Sequence, residues 1–300
     1  MRVIFFGMPG NLAPPALAAV LASGAEVAAV IVPAPPGAPP VSVPPALSPR
    51  PAGIAHGPQP APPSPLALAA ARGVPTLALR RMRAPEVAAA VAALAADLAV
   101  VACWPWRFPP ALLAAPRLGC LNLHPSPLPE LRGPDPLFWA FQEGRARSAV
   151  TVHWMDAGLD TGDIAAVAPL GLPAGIGWDE AERGAGAVGA GLLAELLPRL
   201  AAGELPRRPQ GPGGSYRPAP AENDFAVNPA WPAERAFRFM RGVAAWGAPF
   251  RLRPGGAARL LGAAIGYTPE GRLGAPVVVD GGRVRVQMAP GVLEATLADV

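Results

Sequence analysis

Residues 119–136 read Gly119-Cys120-Leu121-Asn122-Leu123-His124-Pro125-Ser126-Pro127-Leu128-Pro129-Glu130-Leu131-Arg132-Gly133-Pro134-Asp135-Pro136. The apolar lead-in has the composition of a buried strand, and the prolines from Pro125 onward end it because proline cannot donate to a sheet ladder. Asn122 and His124 are two residues apart, so on an extended segment they leave the same face, together, at the strand's carboxyl end. A second apolar stretch, 149–155, leads into Asp156-Ala157-Gly158-Leu159-Asp160-Thr161-Gly162-Asp163, a glycine-punctuated loop with three carboxylates. An amide, an imidazole and a carboxylate suit acyl transfer to an amine. The first two can hold a developing oxyanion, and the third can orient the imidazole or move protons.

Upstream, residues 2–7 read as a strand, the turn at 7–11 leads to an alanine-rich helix over 16–21, and 26–32 read as a second strand. A strand-helix-strand opening of this kind builds a parallel sheet, so the fold class expected is α/β, a Rossmann-like doubly wound and mostly parallel sheet. Gly7 and Gly10 fall short of G-x-G-x-x-G, so no dinucleotide site is read there. Residues 33–65 hold fourteen of the 43 prolines and read as an extended exposed loop. Helices follow over 66–72 and 84–95 around a strand at 74–79. A buried strand over 97–103 then ends in Trp104-Pro105-Trp106-Arg107-Phe108-Pro109. Aromatic residues at the carboxyl end of a parallel strand either line a ligand pocket or plug the sheet edge.

Beyond the loop at 156–163, a strand is expected at 164–169 and a long helix at 178–200, weakened by glycines and Pro198. Residues 206–220, rich in Pro, Gly and Arg, read as a linker. The domains expected are therefore 1–205 and 221–300. The second contains a helix over 232–245 and short strands such as 275–280 and 282–288, a small β-rich domain.

Composition narrows the function classes. The chain of 300 residues is 51% hydrophobic and 15% charged, a soluble globular balance, and Pro, Gly or Arg interrupts every apolar run before the ~18 residues a spanning helix needs. Residues 1–7 are too short an apolar run for a signal peptide, so the compartment expected is the cytoplasm, with no membrane contact. Cys103 and Cys120 sit in or at the end of apolar runs and read as buried thiols. His56, His124 and His153 have no metal-ligand spacing with them, so no metal is implied. Gly and Pro make up 77 residues, close to a disordered composition, but periodic Ala, Val and Leu blocks argue for folding. Every basic residue is Arg. From Arg207 onward there are twelve Arg against seven Asp and Glu, whereas residues 1–206 carry thirteen against fourteen.

Asn-x-His-x-Ser-x-Leu-Pro followed by Arg-Gly-x-x-Pro, with Leu-Asp-Thr-Gly-Asp downstream, resembles the formyltransferases that use 10-formyltetrahydrofolate, the methionyl-tRNA formyltransferases most of all. The resemblance implies Asn122, His124 and Asp160 as catalytic residues, with Asp156 and Asp163 structuring their loop. It implies 10-formyltetrahydrofolate as co-substrate, bound near Trp104, Trp106, Arg107, Phe108, Ser126, Leu128, Pro129 and Gly158. It also implies an OB-like C-terminal domain, echoed by the helix followed by Trp246-Gly247-Ala248-Pro249-Phe250, and a monomer that takes methionyl-tRNA through this basic domain. Arg235, Arg238 and Arg241, spaced to share a helical face, are candidates for phosphate contact, against the alternative that they pack and solvate a surface. One departure stands out: the corresponding loop is basic in that family, but 33–65 has Arg50 as its only formal cation, with His56 the only other candidate. The alternatives are an N-formyltransferase acting on an amino-sugar nucleotide, a formylfolate hydrolase, and, from another class, an inactive nucleic-acid-binding homologue.

Overall fold

The computed structural model describes residues 1–44, 64–247, 249–252 and 259–298. Most of the proline-rich loop, with Arg50 and His56, therefore lies outside the described residues, as does Ala248 of the Trp246–Phe250 echo. The chain packs as two compact units. One is formed by residues 1–132, 149–168 and 185–214, the other by 133–148, 169–184 and 215–300. The segment read as a linker is divided between them after residue 214.

An eight-stranded sheet organises the first unit. Its strands are β1 (Arg2–Gly7), β2 (Glu26–Pro33), β3 (Val41–Ser42), β4 (Thr76–Leu79), β5 (Leu98–Ala102), β6 (Gly119–His124), β7 (Arg147–Trp154) and β8 (Ile164–Gly171), in the order β3-β4-β2-β1-β5-β6-β7-β8. The run β4-β2-β1-β5-β6 is parallel, while β3 and β7 join antiparallel. In β1, Val3, Ile4, Phe5 and Phe6 are all fully buried, as a strand covered on both faces requires. The chain runs outward from β1 through β2 to β4, then returns to the other side of β1 at β5. The crevice at the carboxyl ends of β1 and β5 is thus the topological switch point, where open α/β sheets bind ligands.

The helices show how so many prolines fit an ordered fold. α1 (Ala13–Ala22), α2 (Pro65–Ala71), α3 (Pro85–Ala93), α4 (Pro110–Leu113) and α5 (Pro136–Gln142) each carry proline in the first turn. There the missing N–H costs no helical hydrogen bond and the ring's φ is already helical. α6 (Trp178–Ala201) runs unbroken through its glycines and Pro198. Gly189 faces Leu123 of β6 so closely that a Cβ would collide with the leucine side chain. The glycine that weakens the helix by propensity also lets it lie directly on the strand bearing Asn122 and His124.

The second unit contains β9 (Ala226–Val227), β10 (Phe250–Leu252), β11 (Arg259–Thr268), β12 (Val277–Asp280), β13 (Arg283–Gln287) and β14 (Val292–Leu297), ordered β12-β13-β14-β11-β10-β9. Among the described residues, only the β9–β10 pairing in this sheet is parallel. α7 (Ala233–Gly242) contributes Phe239 to a core in which its ring meets Phe138 at 5.7 Å and Phe250 at 5.5 Å, both edge-on. The β-rich second domain read from sequence is present, with more strands than the two runs named there.

Candidate active site

β6 delivers Asn122 and His124 to the carboxyl end of the sheet, and the antiparallel register with β7 sets His153 opposite Asn122 and Thr151 opposite His124. The loop from β7 to β8 then folds back over the strand end. Its closure depends on Gly162, where a Cβ would overlap the carbonyl oxygen of Trp154. Asp160 sits in this loop with φ +55°, in the left-handed region that non-glycine residues seldom occupy. Strain of this kind at a side chain aimed into a polar cluster is characteristic of functional loops.

The four side chains form one cluster around Asp160 Oδ1. His124 Nδ1 lies 3.8 Å from this oxygen, His153 Nε2 3.5 Å and Asn122 Nδ2 3.4 Å. Backbone carbonyls assign the tautomers. Leu131 O is 3.0 Å from His124 Nε2, and since a carbonyl can only accept, that nitrogen carries the proton and Nδ1 holds the lone pair of the neutral ring. His153 Nδ1 donates in the same way to Trp154 O at 2.9 Å, which leaves Nε2 as an acceptor. Asn122 Nδ2 lies 3.2 Å from that Nε2. Both neighbours at this end of the amide, an imidazole lone pair and a carboxylate, need donors, so chemistry places the amide nitrogen there.

Burial pushes the His124 imidazole below the usual histidine range, the Asp160 charge and the Leu131 carbonyl pull the other way, and His153 adds to the lowering. His124 is 4% exposed and His153 1%. A neutral, buried imidazole with its lone pair beside a carboxylate can accept a proton and be stabilised as it charges.

The aromatic turn follows β5, and in the parallel register Val101 pairs with Asn122 and Ala102 with Leu123, so Trp104 and its neighbours emerge beside the cluster. Phe108 is buried and packs on Phe6 at 4.8 Å, so this ring plugs the sheet. Trp104 and Trp106 are half-buried and meet edge-on at 5.7 Å. The indole N–H of Trp104 is buried and has no hydrogen-bond partner among the described residues. Arg107 reaches across to the β7–β8 loop and donates to Ala157 O at 2.8 Å.

The remaining candidates have local roles. Ser126 Oγ donates to Glu130 O at 2.7 Å, closing the proline turn. Leu128 is buried and Pro129 half-buried in that turn. Gly158 N and Thr161 Oγ1 both donate to Asp156 Oδ1, at 2.9 and 2.7 Å, so Asp156 organises the loop. Cys120 is a buried thiol pushed up to about 12 by burial, and Cys103 is a half-buried one. Among the described residues no group of three or more His, Cys, Asp and Glu is arranged to hold a metal, and no helix is long and apolar enough to cross a membrane.

Of the three arginines on α7, two are engaged inside the second unit. Arg235 stacks over Trp231 at 4.1 Å and donates to Gln142 O at 2.9 Å, while Arg238 binds Glu234 and donates to Leu172 O at 2.8 Å. Arg241 is exposed.

His153 and Gln210 were not singled out from sequence. His153 lies in an apolar strand, and its place beside Asn122 follows only from the β6–β7 register. Gln210 lies in the segment read as linker, yet its Nε2 donates to the carbonyls of Asp160 at 2.9 Å and Gly162 at 2.8 Å.

A family model described as formyl transferase matches residues 41–172. The methionyl-tRNA formyltransferase of Geotalea uraniireducens is 32% identical over 296 residues, covering 96% of this chain and 89% of that protein. Among solved structures, an N-formyltransferase from Helicobacter canadensis in complex with folinic acid and dTDP-3-aminofucose superposes with a TM-score of 0.66 at 14% identity, covering 99% of this chain and 98% of that one. The methionyl-tRNA formyltransferase of Clostridium thermocellum superposes with a TM-score of 0.55 at 13% identity, covering 99% and 100%.

Proposed function

The chain belongs to the formyltransferase family, with methionyl-tRNA formyltransferases as its relatives, and from this we propose that it transfers the formyl group of 10-formyltetrahydrofolate to the α-amino group of methionyl-tRNA. The observation that carries the reading is the convergence of Asn122, His124 and Asp160 at the carboxyl end of β6, beside the aromatic turn after β5. Folate fits what that turn offers. Half-buried indoles suit a flat pteridine, and the Trp104 N–H is a buried donor available to a ligand acceptor. The Helicobacter canadensis relative, crystallised with folinic acid, points to the same class of ligand.

In the proposed reaction the amine attacks the formyl carbon and His124 Nδ1 takes the proton it loses. The imidazolium so formed is supported by Asp160 on one side and Leu131 O on the other. Asn122 keeps one N–H on His153 and turns the other from its long contact with Asp160 to the formyl oxygen, support worth ~3 kcal/mol in comparable sites. Collapse of the tetrahedral intermediate breaks the bond to folate N10, and the proton held by His124 and Asp160 passes to that nitrogen. The products are the formamide and tetrahydrofolate.

We assign the enzyme to the cytoplasm as a monomer that holds tRNA through the Arg-rich second domain, with residues 1–205 as catalytic domain and 206–220 as connection. The test is an acceptor screen in which labelled formylfolate is offered to methionyl-tRNA and to amino-sugar nucleotides. Label on methionyl-tRNA supports the reading. Label on the sugar nucleotide alone, which the scarcity of cations in 33–65 would favour, replaces it.

A further inference from the structure

Gln210 is saturated. Its Nε2 donates to the carbonyls of Asp160 and Gly162, and its Oε1 accepts from Arg132 Nε at 3.1 Å and Arg132 Nη2 at 2.7 Å. An amide has two N–H donors and two acceptor lone pairs, so all four positions are used. The backbone on either side is tied down as well. Arg208 and Ile164 exchange both backbone hydrogen bonds, at 2.8 and 3.0 Å, and Gly214 approaches Pro129 so closely that a Cβ would collide with the proline.

The two ends of this amide lead to the two groups that flank the His124 ring. Arg132 follows Leu131, whose carbonyl holds Nε2, and both Leu131 and Asp160 have φ +55°. Two residues in left-handed conformation, far apart in sequence, thus present an acceptor to either nitrogen of one imidazole. One side chain bridges the segments that carry them.

We propose that Gln210 is a positioning residue of the transfer reaction, holding Asp160 and the Leu131 turn at the spacing His124 requires. The proposal rests on the reading of His124 and Asp160 as catalytic groups. Gln210 itself touches no reacting atom, so its loss acts through Asp160 and leaves folate binding intact.

The experiment is a cycle in the full chain. Turnover of formyl transfer, KM for 10-formyltetrahydrofolate and thermal midpoint are measured for the wild type, Gln210→Ala, Gln210→Glu, Asp160→Asn and the double variant Gln210→Ala with Asp160→Asn. Misplacing a catalytic group by part of an ångström is expected to lower kcat of Gln210→Ala about tenfold to a hundredfold. KM for the folate should stay within about twofold, since only the transition state is affected. Gln210→Glu keeps an acceptor for Arg132 but sets a carboxylate against two carbonyls, so it should lose kcat as Ala does. In the Asp160→Asn background, Gln210→Ala should cost no further activity, because the group it positions is already gone.

An equal cost of Gln210→Ala in both backgrounds, or rescue by Gln210→Glu, would make the residue a structural pin and overturn the proposal. So would unchanged kcat. Near-wild-type turnover in Asp160→Asn would instead remove the catalytic reading of Asp160, and the positioning role with it. Folate binding retained at wild-type strength shows that a variant is folded. If Gln210→Ala loses folate binding, the same criteria are read from Gln210→Glu alone and in the Asp160→Asn background, and loss of folate binding in both substitutions also overturns the proposal.

Discussion

His124 Nε2 donates to the carbonyl oxygen of Leu131 at 3.0 Å, which leaves Nδ1, 3.8 Å from Asp160 Oδ1, as the nitrogen able to take a proton. In the mechanism we propose, Asn122, His124 and Asp160 act on one transition state. Asn122→Ala, His124→Ala and Asp160→Asn should each lower turnover by at least about 100-fold with the fold retained. Any two combined should cost far less than the product of their separate effects. Near-normal turnover in Asp160→Asn alongside loss in Asp156→Asn or Asp163→Asn would reassign the carboxylate.

The pH profile follows from the buried imidazole. Burial lowers the His124 pKa, so the ring stays neutral and able to accept a proton below the usual histidine value of about 6.5. The acid limb of kcat/KM should therefore lie below that value. Asp160 favours the charged ring, so Asp160→Asn should move the limb to lower pH still as the rate drops. A limb that moves upward in this variant would contradict the assignment.

His153 anchors the Asn122 amide from the neighbouring strand through its Nε2. His153→Phe removes that acceptor and leaves a half-buried N–H without its partner. Turnover should fall about tenfold or more while KM for folate changes little, as expected when a transition-state donor loses its orientation. Unchanged kcat would show that Asp160 alone orients the amide.

Folate bound against the β5 turn should perturb tryptophan fluorescence. The change on titration with a folate analogue should shrink in Trp104→Phe, which also removes the buried N–H donor, and in Trp106→Phe. A signal undiminished in both variants would move the pteridine elsewhere.

On α7 the arginines should separate by role. Arg235→Ala and Arg238→Ala break hydrogen bonds to the carbonyls of Gln142 and Leu172, and each should lower stability by about 1–3 kcal/mol. Arg241→Ala, at an exposed position, should leave the thermal midpoint alone and reduce the salt dependence of tRNA binding by about one phosphate contact. The reverse pattern would place the tRNA contact on Arg235 and Arg238.

The legible parts of this protein were those with a local signature. Val3–Phe6 and the apolar run before Asn122 state their structure within a few residues, and the i, i+2 spacing of Asn122 and His124 already put both on one face. Asp160 was distinguishable from Asp156 and Asp163 only by resemblance, because all three are ordinary turn formers. The geometry now separates Asp156, which binds Gly158 and Thr161, from Asp160, which faces the histidines. His153 and Gln210 were out of reach for a different reason. Their meaning depends on strand register and on a contact between segments 50 residues apart, and neither leaves a periodic trace. The short strands β9 and β10, and β11 with its register shifts, likewise have too little alternation to read.

A labelled formyl group followed through a single turnover reads the transfer step itself. Enzyme loaded with 10-formyltetrahydrofolate is mixed with methionyl-tRNA, in wild type and in His124→Ala. Label should appear on the methionine α-amine in the wild type, with transfer slowed at least about 100-fold in His124→Ala. Label released only as formate, or transfer at equal rates in both proteins, would contradict the proposed mechanism.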